Sequence, residues 1–159
     1  MADILTQANV GALGDLLNLS AAATAVAAGS GDATTTTGTT VDRLSFGNGG
    51  IPSTALVGVM WAATLASGKT LSIAVTVQDS ADNSTFADFS TVGSTVVATG
   101  PSGGGAKSGQ FNLAVDLRNA RRYVRCNFNP DLSATGTDTA TATAAGFFAG
   151  WDRLAAPTN

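Results

Sequence analysis

The chain has no histidine and no glutamate among its 159 residues, a single cysteine, two lysines, and charged residues at only 12%. Each shortage excludes something. Without histidine the commonest general base is missing, and with Cys126 as the one thiol almost every familiar zinc ligand set is missing too. A lone cysteine cannot form an internal disulfide, so the redox compartment stays open. Glutamate and lysine are the usual residues of solvent-facing helices, and their scarcity argues against such helices. No apolar run approaches the ~18 residues of a membrane-spanning helix. The first residues, MADILTQANVGALG, carry Asp3 where a secretory leader would carry positive charge, so synthesis in a cytoplasm without a cleaved leader is expected. A net charge of -3 and a pI near 4.5 disfavour free nucleic acid or an anionic membrane as main partner.

In their place stand threonine, serine, glycine and alanine, arranged with a period of two. TLSIAVTVQ puts Leu71, Ile73, Val75 and Val77 on one side, and QFNLAVDL does the same with Phe111, Leu113, Val115 and Leu117. YVRCNFN alternates Val124, Cys126 and Phe128 with Tyr123, Arg125 and Asn127. ALVGVMWAATL, residues 55–65, is almost continuously apolar and reads as a buried strand, although its length also permits a helix. DTATATAAGFFAGW alternates until Gly146, where a bulge would re-aim Phe147 and Phe148. AAATAVAAG and VDRLSF read as strands, SGDATTTTGTT as a polar connection or edge strand, and GNGGIP and GPSGGGAKSG as loops. Residues 1–18, with Ile4, Leu5, Leu13, Leu16 and Leu17 at partial helical spacing, read as a helical or irregular arm. Strands separated by turn residues, with no recurring helix between them, predict an all-β antiparallel sandwich of jelly-roll type. It is expected to span residues 46–159, behind an extended or partly helical N-terminal arm and edge segment at 1–45.

Two stretches invite a chemical reading. In VQDSADNSTFADF a nucleophile such as Ser80 or Ser84 would have only Asp79, Asp82, Asp88 or a lysine as base. Asp79 and Asp82 lie too close in sequence to face one another across a glycosidic bond. Calcium would find oxygen ligands in Asp79, Asp82 and Asn83 but not the alternating spacing or closing glutamate of a calcium loop. A chain reversal fits better, because Asp and Asn side chains bond to nearby amides, with Phe86 and Phe89 then entering the core. LRNARRYVR gathers Arg118, Arg121, Arg122 and Arg125, which pair internally with Asp116, Asp131 or Asp152 or form a patch for a protein partner; a third reading, nucleic-acid contact, falls short because four arginines without a wider basic face do not track a backbone. Cys126 reads as a buried apolar group and Trp61 and Trp151 as core or interface anchors. GAKSG lacks the strand-loop-helix setting of a phosphate loop. No catalytic residue, metal ligand or cofactor is expected.

From Leu71 to Leu154, through VQDSADNSTFADF, LRNARRYVR and FFAGWDRL, the text resembles small virion proteins of tailed bacteriophages. The same kind of text is similar to jelly-roll carbohydrate-binding modules. The resemblance implies a non-enzymatic capsid cement (decoration) protein on the capsid exterior. Such a protein would be a homotrimer bound to the phage major capsid protein, without direct contact to nucleic acid or membrane. The residues expected at that contact are Arg118, Arg121, Arg122, Arg125 and Trp151, together with the arm. Two alternatives stand beside it: a tail or head-tail component, and a sugar-binding sandwich stacking ligand on Trp61, Tyr123 or Trp151.

Overall fold

The computed structural model describes residues 13–46 and 50–153, and among these there is no helix. Nine strands follow in chain order: β1 (Gly14–Asn18), β2 (Ala23–Val26), β3 (Val41–Asp42), β4 (Gly50–Leu65), β5 (Thr70–Ser80), β6 (Ala87–Thr99), β7 (Gly105–Asp116), β8 (Tyr123–Leu132) and β9 (Thr139–Arg153). They form two sheets, both antiparallel throughout. One has the order β1-β9-β4-β7, with β2 also on β9, and the other has the order β3-β8-β5-β6. Only the β1–β2 and β5–β6 connections stay within a sheet; every other connection crosses to the opposite one. That wrapping is the double-sheet jelly roll.

The period of two decides what lies between the sheets. Leu71, Ile73 and Val75 of β5 are fully buried, as are Cys126 and Phe128 of β8. Across from these bulky groups β9 presents Ala140, Ala142 and Ala144, and β4 presents Ala55, Val57, Val59, Trp61, Ala63 and Leu65. The small residues of β9, the mixed sizes of β4 and the large residues of β5 and β8 together fill the interlayer space. β4 therefore buries one face only: Leu56 and Met60 point outward and are nearly half exposed. The run looked fully buried in sequence because its outward residues are themselves apolar.

Several local expectations give way to pairing. Residues 14–18 form β1, opposite Ala145–Ala149, where a helix or irregular arm was expected. The long edge of β9 offers these residues backbone partners that outweigh weak helical spacing; residues 1–12 lie outside the described residues. VDRLSF contributes only Val41 and Asp42 to a strand, because Arg43 turns inward. GNGGIP is not wholly a loop: Gly50, Ile51 and Pro52 pair with β9, while 47–49 lie outside the described residues. The glycine-rich loop shortens to Gly100–Gly104, since Gly105–Gly109 already pair with β4. Gly109 is there for space, as a Cβ would stand 2.7 Å from Trp61 Cζ2.

Gly146 makes no bulge. The β4–β9 register runs unbroken from Thr64↔Thr139 through Val57↔Gly146 to Thr54↔Ala149, and Gly146 takes an inward position where a Cβ would lie 2.7 Å from Leu19 Cδ1. Phe148 consequently enters the core and Phe147 stays outside. The re-aiming occurs four residues later, where the ladder skips from Thr54↔Ala149 to Pro52↔Trp151. Between them Gly150 has φ +68°, Ser53 Oγ donates to the Gly150 carbonyl at 2.5 Å, and Pro52 is buried.

Candidate partner-binding end of the sandwich

Jelly-roll wrapping collects the β3–β4, β5–β6 and β7–β8 connections at one end of the sandwich, so the two stretches singled out in sequence become neighbours. Arg43, only 5% exposed, organises this end: its guanidinium donates to the carbonyls of Ala120, Arg121 and Pro52. From the other side the Asp79 carboxylate, 6% exposed, accepts the Arg121 amide at 2.8 Å, with Arg121 Nε at 4.0 Å. The β7–β8 turn is thus held through both the N–H and the C=O of Arg121.

The reversal after β5 is a side-chain-capped turn. Asp82 Oδ1 accepts the amides of Ser84 and Thr85, each at 2.9 Å, and the Ser80 hydroxyl at 2.8 Å, while Asn83 takes the left-handed conformation at φ 60°. Those amides hold the Asp82 carboxyl well below the usual carboxylate range. Asp79 and Asp82 therefore serve different partners and share no ligand position. No group of three or more Cys, Asp or Glu side chains able to hold a metal occurs among the described residues. Phe89 packs on the core as expected. Phe86 does not: it lies on the outer side, covered by the Arg125 guanidinium 3.9 Å above its ring, a cation–π contact that shields an aromatic the turn cannot bury.

Each of the four clustered arginines has an acceptor. Arg118 forms a fork with Asp116 and holds that carboxyl down to about 2. Arg122 pairs with Asp42 of β3 at 2.7 and 3.0 Å, lowering the Asp42 pKa, and lies over the Tyr123 ring. Arg125 donates Nε and Nη2 to Gln78 Oε1, which also accepts from Asn127, while the Gln78 amide donates to Asp88. Of the internal partners expected, Asp116 is one. Asp131 is not among the ion pairs of the described residues; it stands beside Ser72, far along β8. The Asp152 side chain lies outside the described residues. Arg118, Arg121 and Arg122 keep 71, 54 and 47% of their side-chain surface in solvent.

Trp151 arrives at the same end on the last strand, its ring 5.3 Å from that of Phe46, which in turn lies 5.3 Å from Phe148. Trp61 is core, at 8% exposure, and Arg122 covers one face of Tyr123, so neither presents an open platform for stacking sugar. Cys126 is 1% exposed, and burial pushes its thiol up to about 12. Sequence reasoning missed Arg43, which looks in the text like one of two scattered arginines; only the fold brings three carbonyls around it.

The class these features define is an all-β jelly-roll sandwich with a built, charge-balanced loop end. No family model matches the chain, and no curated protein matches it. Among solved structures it is similar to a chain of the T13 particle of infectious bursal disease virus, at 11% identity and TM-score 0.46, over 86% of this chain and 31% of that one. It is also similar to the VP2 subviral particle of the same virus, at 12% identity and TM-score 0.39, over 86% and 32%. The chain thus spans about a third of the length of these chains.

Proposed function

We propose that this chain is a virion structural protein of the decoration kind, docking on the outer surface of a major capsid protein lattice through the Arg118–Arg125 end. The observation that carries this reading is a convergence. The three segments that resemble phage virion proteins, Val77–Phe89, Leu117–Arg125 and Phe147–Trp151, come to one end of the sandwich: Asp79–Arg121 and Arg125–Phe86 join the first two, while Phe148 and Trp151 of the third stack on Phe46 of the β3–β4 connection. Turns fixed from within by Arg43 and Asp79 leave three arginines facing out in defined positions. A preorganised rim of ion-paired arginines of this kind gives register against a protein surface that presents carboxylate or carbonyl acceptors. Many copies on one lattice would then stabilise the shell by mass action.

Purified protein mixed with shells lacking it should co-sediment with them in a saturable way, with binding weakened by salt. Reversing Arg118 and Arg122 together to Glu should reduce binding at least about tenfold, equivalent to ~1.4 kcal/mol, with the circular dichroism spectrum retained. Gel densitometry of virions separates head from tail. Copy numbers near that of the capsid subunit, or a third of it, fit decoration, whereas a small fixed ring number places the chain in the tail or connector.

A further inference from the structure

The two outer faces of the sandwich differ in kind. Outside the β3-β8-β5-β6 sheet lie Arg125, Gln78, Asn127 and Asp88, linked in one hydrogen-bonded network. Outside the β1-β9-β4-β7 sheet, among the outward positions of the rungs from Thr54 to Thr64, the sole charged residue is Asp116, at the corner and already paired with Arg118. Across this face one rung forms an apolar ridge: Leu16, 73% exposed, stands beside Phe147, then Leu56 and Ala114. Six residues further along the same strands, Ala62, Thr64, Thr141 and Ser108, with Lys107 on the edge strand β7, line a shallow hollow of about 460 Å³.

From this geometry we infer that the outer face of the β1-β9-β4-β7 sheet is an interface between two copies of this chain. Ridge and hollow both lie on β4 and β9, and the rung midway between Leu56↔Phe147 and Ala62↔Thr141 is Val59↔Ala144. A two-fold axis in the plane of the face, crossing the strands at that midpoint rung, sets the ridge of each copy over the hollow of the other. The same patch then serves both subunits, as a closed two-fold contact requires. β7, β4 and β9, spaced ~4.8 Å apart over about twelve rungs of ~3.3 Å and flanked by the shorter β1 and β2, make a face of about 700 Å², near the roughly 800 Å² per partner of a stable protein interface. A face whose one outward charge, Asp116, is already paired within the chain, and whose Lys107 is exposed on the edge strand, offers little complement to a charged partner but can meet its own copy with few charges left unpaired. This inference is independent of the capsid reading, which uses the arginine end.

Light scattering coupled to gel filtration of the full chain, over a concentration series, should give twice the chain mass. Leu56→Asp and Ala62→Arg should each return it to the monomer mass with an unchanged circular dichroism spectrum, whereas Thr76→Asp on the opposite sheet should leave it a dimer. A chain with Leu56→Cys and Ala62→Cys together should cross-link between copies on oxidation. A monomer at high-micromolar concentration, a three-copy mass, or a dimer indifferent to both face variants overturns the inference. So does a wild-type monomer whose binding to shells is lost with Leu56→Asp, because the face would then belong to the lattice. Loss of shell binding on arginine reversal, with the dimer intact, bears on the capsid reading alone.

Discussion

At the scale of single residues, three aspartates carry depressed pKa values for stated reasons: Asp116 by Arg118, Asp42 by Arg122, and Asp82 by the amides of Thr85 and Ser84. A carboxylate whose folded pKa lies below its unfolded value, near ~3.9, contributes stability above that value and loses it as pH falls through the folded one. For Asp116 that loss extends down to about 2. The chain has no histidine, whose ordinary pKa lies near ~6.5. The urea midpoint should therefore change little from about pH 8 to 5 and fall modestly below about pH 4, since these carboxylates are exposed, and Asp116→Asn should make that fall shallower. Asp79 is the more costly residue to change. Asp79→Ala removes the acceptor for the Arg121 amide from a site 6% exposed, and unfolding should become easier by about 1–3 kcal/mol. The β7–β8 turn should then exchange its amide hydrogens faster than β8 itself.

Among elements, β5, β7 and β8 were legible because polar and apolar residues alternate along them, so the buried side is written in the text. β4 was legible as apolar but not as one-faced, since Leu56, Gly58, Met60 and Ala62 share the hydropathy of the residues they alternate with. β1 was illegible for another reason: a five-residue segment becomes a strand only when a distant partner, here Ala145–Ala149, supplies its hydrogen bonds. Of the candidate end, the turn chemistry of Asp82 and the clustering of four arginines could be read. The Asp79–Arg121 and Asp42–Arg122 pairings could not, because they join residues 42 and 80 positions apart. Gly146 shows how one residue type carries two meanings. A glycine inside a strand marks either a bulge or a close approach, and only the position of Leu19 decides. Gly146→Ala should destabilise by about 1–3 kcal/mol through overpacking. Adding Leu19→Ala should recover part of that loss, giving a non-additive double-mutant cycle.

For the whole molecule, the wrapping order sets the timescale of assembly. Gly14 pairs with Ala149 and Thr54 with Asp116, so the sheets close only after long loops have been brought together. Refolding followed by the fluorescence of the buried Trp61 should accordingly take roughly milliseconds to seconds, as for other topologies rich in distant pairings. The buried thiol gives that same molecule a built-in clock. Cys126 sits between the sheets with its ionisation suppressed, so an alkylating reagent reaches it only when the sandwich opens. The rate of labelling therefore counts openings without any engineered tag.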